Sequence, residues 1–180
     1  DEGTVDAVIN NITEKNTNKD STLSLKVMAD FSEKSPEKLE QLSETNADQV
    51  EKLTIDAVQK ATTSSEDVDL IAKVVAVTND KIVNIVVEEV SKTSTEEKQN
   101  LSAKVLKAIV DTQPNKIEII NNDIKDIMIK QTVESAKNQK EGTGIQDEQD
   151  LTAIVSDIIV NTNTETASKM IEEINDIETD

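Results

Sequence analysis

The sequence predicts an all-α protein built from tandem helical hairpins stacked side by side as an α-solenoid, with an irregular helical bundle as the alternative. Three observations predict it. Apolar residues recur at i, i+3, i+4 and i+7 rather than in alternation. The chain has only 3 glycines, too few to supply the turns of a hairpin-rich β protein. The third is internal duplication. Pro36 and Pro114 lie 78 residues apart, and Leu23, Ser24, Lys26, Val27 and Lys38 are each matched at that distance, by Leu101, Ser102, Lys104, Val105 and Lys116. The register continues through Glu40 and Glu118, Asp48 and Asp126, Lys52 and Lys130, and Thr54 and Thr132. A period this long signals tandem supersecondary units.

The elements follow in order. Val5, Val8, Ile9 and Ile12 share a face and predict a helix over 4–14. A helix is expected at 21–33, followed by one at 36–44 that opens with Ser35 as cap and Pro36 at the first helical position. Helices at 47–61 and 66–77 come next, the second carrying Ile71, Val74 and Val75. Asn79-Asp80 reads as a cap with a following acid, opening a helix at 80–92 with Ile82, Val83, Val86 and Val90 on one face. Ser94-Thr95-Glu96-Glu97 has the form of a capping box and predicts a helix over 95–111. A helix at 114–137, with Ile117, Ile120, Ile124 and Ile127 in line, is expected to break near Asn121-Asn122, because its counterpart breaks near Thr45-Asn46. Residues 138–146 hold two of the three glycines and read as a surface loop insertion. Helices at 147–160 and 165–177, the latter capped by Thr164, complete the chain.

A shorter theme runs inside the long one. Residues 23–28, 70–75, 101–106 and 151–156 are variants of one hexapeptide, and Val86-Val-Glu-Glu-Val90 resembles Met170-Ile-Glu-Glu-Ile174. The expected organisation is therefore a half unit at 1–22, a first full unit at 23–100 and a second at 101–180. The half unit reads as the end of a preceding repeat, which predicts either a longer array or a terminal face that needs completing. The units lack the Trp, Tyr and Gly positions of tetratricopeptide repeats and the ankyrin signature.

Composition narrows the function classes. Leu, Ile, Val and Phe number 48, enough for a core, but Phe31 is the only aromatic residue, so that core must be thin. A formal net charge of −18, with no Arg and no stacking aromatics, argues against nucleic acid and against anionic membrane surfaces. No apolar run is long enough to insert in a bilayer. Cys and His are absent, which removes disulfides, thiolates, the commonest general base and the usual zinc, iron and copper ligands.

The remaining constellations point to surfaces rather than chemistry. Glu88-Glu89, Glu96-Glu97 and Glu172-Glu173 lie on the polar faces of amphipathic helices, where acids are ordinary. Calcium needs only oxygen ligands, and Asp147-Glu148-Gln149-Asp150 could hold it weakly, but no EF-hand pattern is present. Ser24/Lys26 and Ser102/Lys104 are repeated, yet residues two apart do not share a helix face. Lys26, Lys73 and Lys104 are expected to flank the apolar stripe and cover it with their stems, and Pro36 and Pro114 to punctuate helices. No catalytic, cofactor-binding or metal site is therefore assigned. The leading expectation is a non-catalytic structural segment of a long surface or extracellular protein, assembling end to end with its own kind. An acidic scaffold for a protein partner ranks second, and an enzyme last.

Overall fold

The computed structural model describes residues 22–94, 98, 100–142 and 150–179, together with 7, 11 and 12. Of the described residues 86% are helical and none lies in a strand. Spacing has thus outweighed the β-branched composition. A Val or Ile costs a helix a few tenths of a kcal/mol, roughly, in propensity. Burying the same side chain contributes about 1.5–3 kcal/mol.

Ten helices are described: α1 Leu23–Lys34, α2 Pro36–Thr45, α3 Ala47–Lys60, α4 Ser65–Val77, α5 Asp80–Thr93, α6 Leu101–Thr112, α7 Lys116–Ile119, α8 Asn122–Glu141, α9 Leu151–Asn161 and α10 Thr164–Thr179. The expected helix at 4–14 falls mostly outside the described residues, as do 95–97 and 143–149. The chain divides into two compact units, Asp1–Glu89 and Val90–Asp180.

In the first unit α1 packs chiefly against α3 and α4, and α2 sits against α3 and α1. Leu25 and Met28 of α1 meet a core of Leu53, Ala57 and Val58 from α3 and Ile71, Val74 and Val75 from α4, all buried. In the second unit α6 packs against α8 and α9, and α10 covers α8 and α9. Its core includes Leu101, Leu106, Ile109, Met128, Leu151, Ile158 and Met170. The opening helix of each cluster therefore leans mainly on helices two and three places along the chain rather than on its immediate successor.

Local hydrogen bonds explain where the helices start and stop, and many recur at matching positions. The Ser35 N–H closes α1 on the Phe31 carbonyl at 2.9 Å, and the Gln113 N–H closes α6 on the Ile109 carbonyl at 2.8 Å. Buried Thr54 donates its hydroxyl to the Val50 carbonyl at 2.7 Å, and buried Thr132 does the same to Met128 at 2.7 Å. Thr78 and Thr162 end α4 and α9 by donating to the carbonyls of Val74 and Ile158, at 2.6 and 2.8 Å. The side-chain oxygens of Asn79 and Asn163 then cap the next helices, accepting from the N–H groups of Ile82 and Thr166 at 3.1 and 2.9 Å.

Several expectations need correction. The cap of α10 is Asn163, with Thr164 already helical, because the amide oxygen of Asn163 reaches the third residue on. Of the helix expected over 95–111, α6 begins at Leu101, residues 95–97 of the expected capping box lie with residue 99 outside the described residues, and the Ser94 hydroxyl accepts the Ser102 N–H at 3.1 Å. The 114–137 helix does break, at Ile120 and Asn121, where the chain turns extended and Asn121 caps α8 through the Asp123 N–H. That break rephases the stripe: Ile117 and Ile120 stay buried, while α8 buries Met128, Ile129 and Val133 and leaves Ile127 exposed. Residues 138–141 are helical, not loop, since α8 runs on to Gly142, whose φ of 70° gives the left-handed stop that favours glycine. Phe31 is only half-buried.

Two buried hydroxyls, those of Ser32 and Thr166, lack a partner among the described residues. Ser32 on α1 is fully buried with its Oγ unsatisfied, and Val110 stands at the matching position of α6. Ser32→Ala is expected to raise the unfolding free energy by about 1 kcal/mol, read by urea denaturation, because it removes a desolvated donor without overfilling the site.

Candidate interaction surface

The polar constellations resolve into structural roles. Ser24 is fully buried and donates to the Asp56 carboxylate, whose other oxygen pairs with Lys60 at 2.6 Å. Ser102, also fully buried, donates to the Gln131 side-chain oxygen at 2.6 Å, and Gln131 donates to the Ser91 carbonyl at 2.9 Å. Both repeated serines thus fasten one helix to another. Glu88 is exposed, while Glu89 is buried and accepts from Gln59 at 2.8 Å. Glu172 is exposed and Glu173 half-buried. Glu96 and Glu97 lie outside the described residues.

Asp150, the described member of the candidate calcium stretch, accepts the N–H groups of Thr152 and Ala153 at 2.9 and 3.3 Å and so caps α9. Among the described residues no group of three or more acidic side chains is placed to hold a metal ion. Asp67 is buried and accepts both the N–H and the hydroxyl of Thr62, at 2.8 and 2.7 Å, which ties down the turn before α4.

Two of the repeated lysines, Lys26 and Lys73, join helices, and Lys104 is half-buried. Lys26 pairs with Glu66 at 3.2 Å and Lys73 with Glu33 at 3.8 Å, both between α1 and α4 and both exposed. Such pairs are worth about 0–1 kcal/mol. Lys169 of α10 donates to Asp126 of α8 at 2.7 Å. That hydrogen bond raises the Lys169 pKa above its ordinary value, against the opposing effect of burial. A raised folded-state value stabilises fully below the unfolded lysine value of about 10.4, and the contribution is lost as pH rises through the folded value. Lys169→Met is therefore expected to cost at most about 1 kcal/mol at neutral pH. The gap from wild type in thermal melts should close at strongly alkaline pH or in high salt.

The arrangement that stands out is apolar. Leu23, Val27 and Phe31 lie along α1, the first 47% exposed and the other two half-buried. Their counterparts 78 positions on, Leu101, Val105 and Ile109, are each 0% exposed. The closing helices show the converse. Val83, Val87 and Val90 of α5 are each 0% exposed, whereas Ala167, Ile171 and Ile174, 84 positions on in α10, are half-buried or, for Ile171, 47% exposed. Equivalent faces are covered in one copy of the motif and open in the other. Beside the α1 face, Leu23, Lys26, Val27 and Asp30 form an open groove with Glu66 and Leu70 of α4.

Sequence reasoning could not have found this surface. Leu23 and Leu101 are the same residue, as are Val27 and Val105, so nothing local distinguishes the open position from the covered one. Among the described residues no helix is long and apolar enough to cross a membrane. No protein-family model matches the chain, and no curated protein or solved structure matches it.

Proposed function

We propose that the chain is a non-catalytic structural segment of a long surface or extracellular protein, made of helical repeats that stack as a solenoid and continue end to end. The observation that carries the reading is the recurrence of local structure along the chain. The helix-ending bonds of Ser35 and Gln113 and the Thr54 and Thr132 back-bonds recur at the 78-residue period, and the Thr-Asn junctions at 78–79 and 162–163 recur at 84. Duplicated capping and packing make repeating surfaces, the usual product of arrays. The two repeated serines support the same reading, since each is buried and engaged in helix-to-helix hydrogen bonds, out of reach of a substrate. The surface or extracellular setting rests on composition, a long acidic repeat free of Cys.

The test is electron microscopy of the concentrated protein at high ionic strength, where the repulsion of a net charge of −18 is screened. Thin threads of uniform width are expected. A field of single compact particles at every concentration would count against end-to-end continuation.

A further inference from the structure

We propose that α10 is a strap that lifts off α8 and α9 as one piece while those helices stay folded. α10 packs on α8 and α9. Among its described side chains only Thr166 and Met170 are buried. They stand four residues apart and so form a single line along the inner face. Met170 is the apolar anchor on that line, at 0% exposure. The helices beneath are held by more. α9 buries Leu151, Ile154, Val155 and Ile158, and α8 buries Met128, Ile129 and Val133.

Thr166 works against closure. Its Oγ1 is buried and has no hydrogen-bond partner among the described residues. Ile82 fills the equivalent place on α5, 84 positions earlier, and is buried. A hydroxyl there gives up its hydrogen bonds to water when α10 docks and regains them when α10 lifts, so it favours the open state. Two exposed polar ties hold the strap down. Lys169 donates to Asp126 of α8 at 2.7 Å, and Asn163, the cap of α10, donates to Glu118 of α7 at 3.4 Å. Exposed pairs hold weakly. At 16 residues α10 is close to the length at which an isolated helix is marginal in water, so its own hydrogen bonds open once it lifts. α1 carries the other unpartnered hydroxyl, Ser32, but it also buries Leu25, Met28 and Ala29 and is tied to Asp56 through Ser24, so it stays in place.

The experiment is amide hydrogen exchange on the full chain, read residue by residue by NMR. The amides of Met170 to Ile174 are expected to share one protection factor, roughly 30-fold or more below that of Val155 to Ile159 in α9. A shared value marks lifting as one piece, whereas fraying gives a gradient along the helix. Ile109→Val in α6, which packs on α8 and α9, should lower α9 protection by roughly two- to tenfold and leave α10 unchanged. Thr166→Val removes the hydroxyl and keeps the shape, so it should raise α10 protection by roughly five- to tenfold. Circular dichroism confirms that both variants are folded. The strap is overturned if α10 and α9 share one protection factor, if α10 protection falls off as a gradient, or if Ile109→Val lowers both helices alike. It is equally overturned if Thr166→Val leaves α10 protection unchanged or lower.

Discussion

Leu101→Ala should lower the unfolding free energy by about 2–5 kcal/mol, while Leu23→Ala, the same residue at the same place in the period, should cost less than about 0.5 kcal/mol. Leu101 is 0% exposed and sits in the first turn of α6, whose main neighbours are α8 and α9. Truncation there removes apolar contacts and leaves a cavity that packed helices relax only in part. Leu23 is 47% exposed, so truncating it gives up only part of a burial already incomplete. Urea denaturation followed by circular dichroism reads both values. With two compact units the transition is to be fitted unit by unit, since a single two-state free energy is not assured. Equal costs at the two positions would mean that the faces of α1 and α6 are covered alike.

Most helices were legible because their apolar spacing is decided within the helix. Of the stripe Leu151, Ile154, Val155, Ile158 and Ile159 the first four are buried and Ile159 half-buried, and Asn79 caps α5 as its side chain permits. What escaped were features set by distant parts of the chain or by competing caps. The Ser94 hydroxyl accepts from Ser102 eight residues on, an attraction no local window contains, while residues 95–97 of the expected capping box fall outside the described residues. The four isoleucines from 117 to 127 looked like one face, but the break at Ile120 and Asn121 rotates α8 and leaves Ile127 outside. The two glycines at 142 and 144 suggest a loop from 138, whereas α8 continues to Glu141, helped by the good helix formers Lys137, Gln139, Lys140 and Glu141 before Gly142 stops it. The candidate surface was the least legible part, because exposure of Val27 and burial of Val105 belong to tertiary context and not to valine.

Val87→Asp should lower the unfolding free energy by about 4 kcal/mol or more, and Ile171→Asp should leave it nearly unchanged. The two positions are 84 apart on equivalent faces of α5 and α10, but Val87 is 0% exposed and Ile171 47%. A carboxylate at 87 would enter apolar surroundings, including the buried neighbours Val83 and Val90 on its own helix. Burial favours the neutral form, so its folded-state pKa would lie above the unfolded value of about 3.9. The sign is then opposite to that of Lys169. The ionisation part of the penalty is full above the folded value, shrinks as pH falls through it, and is gone below about 3.9, where both states are protonated and only the cost of burying a neutral carboxyl remains. Stability measured as the difference from wild type should therefore recover in part in acid for Val87→Asp. No such recovery is expected for Ile171→Asp, whose side chain reaches water at every pH.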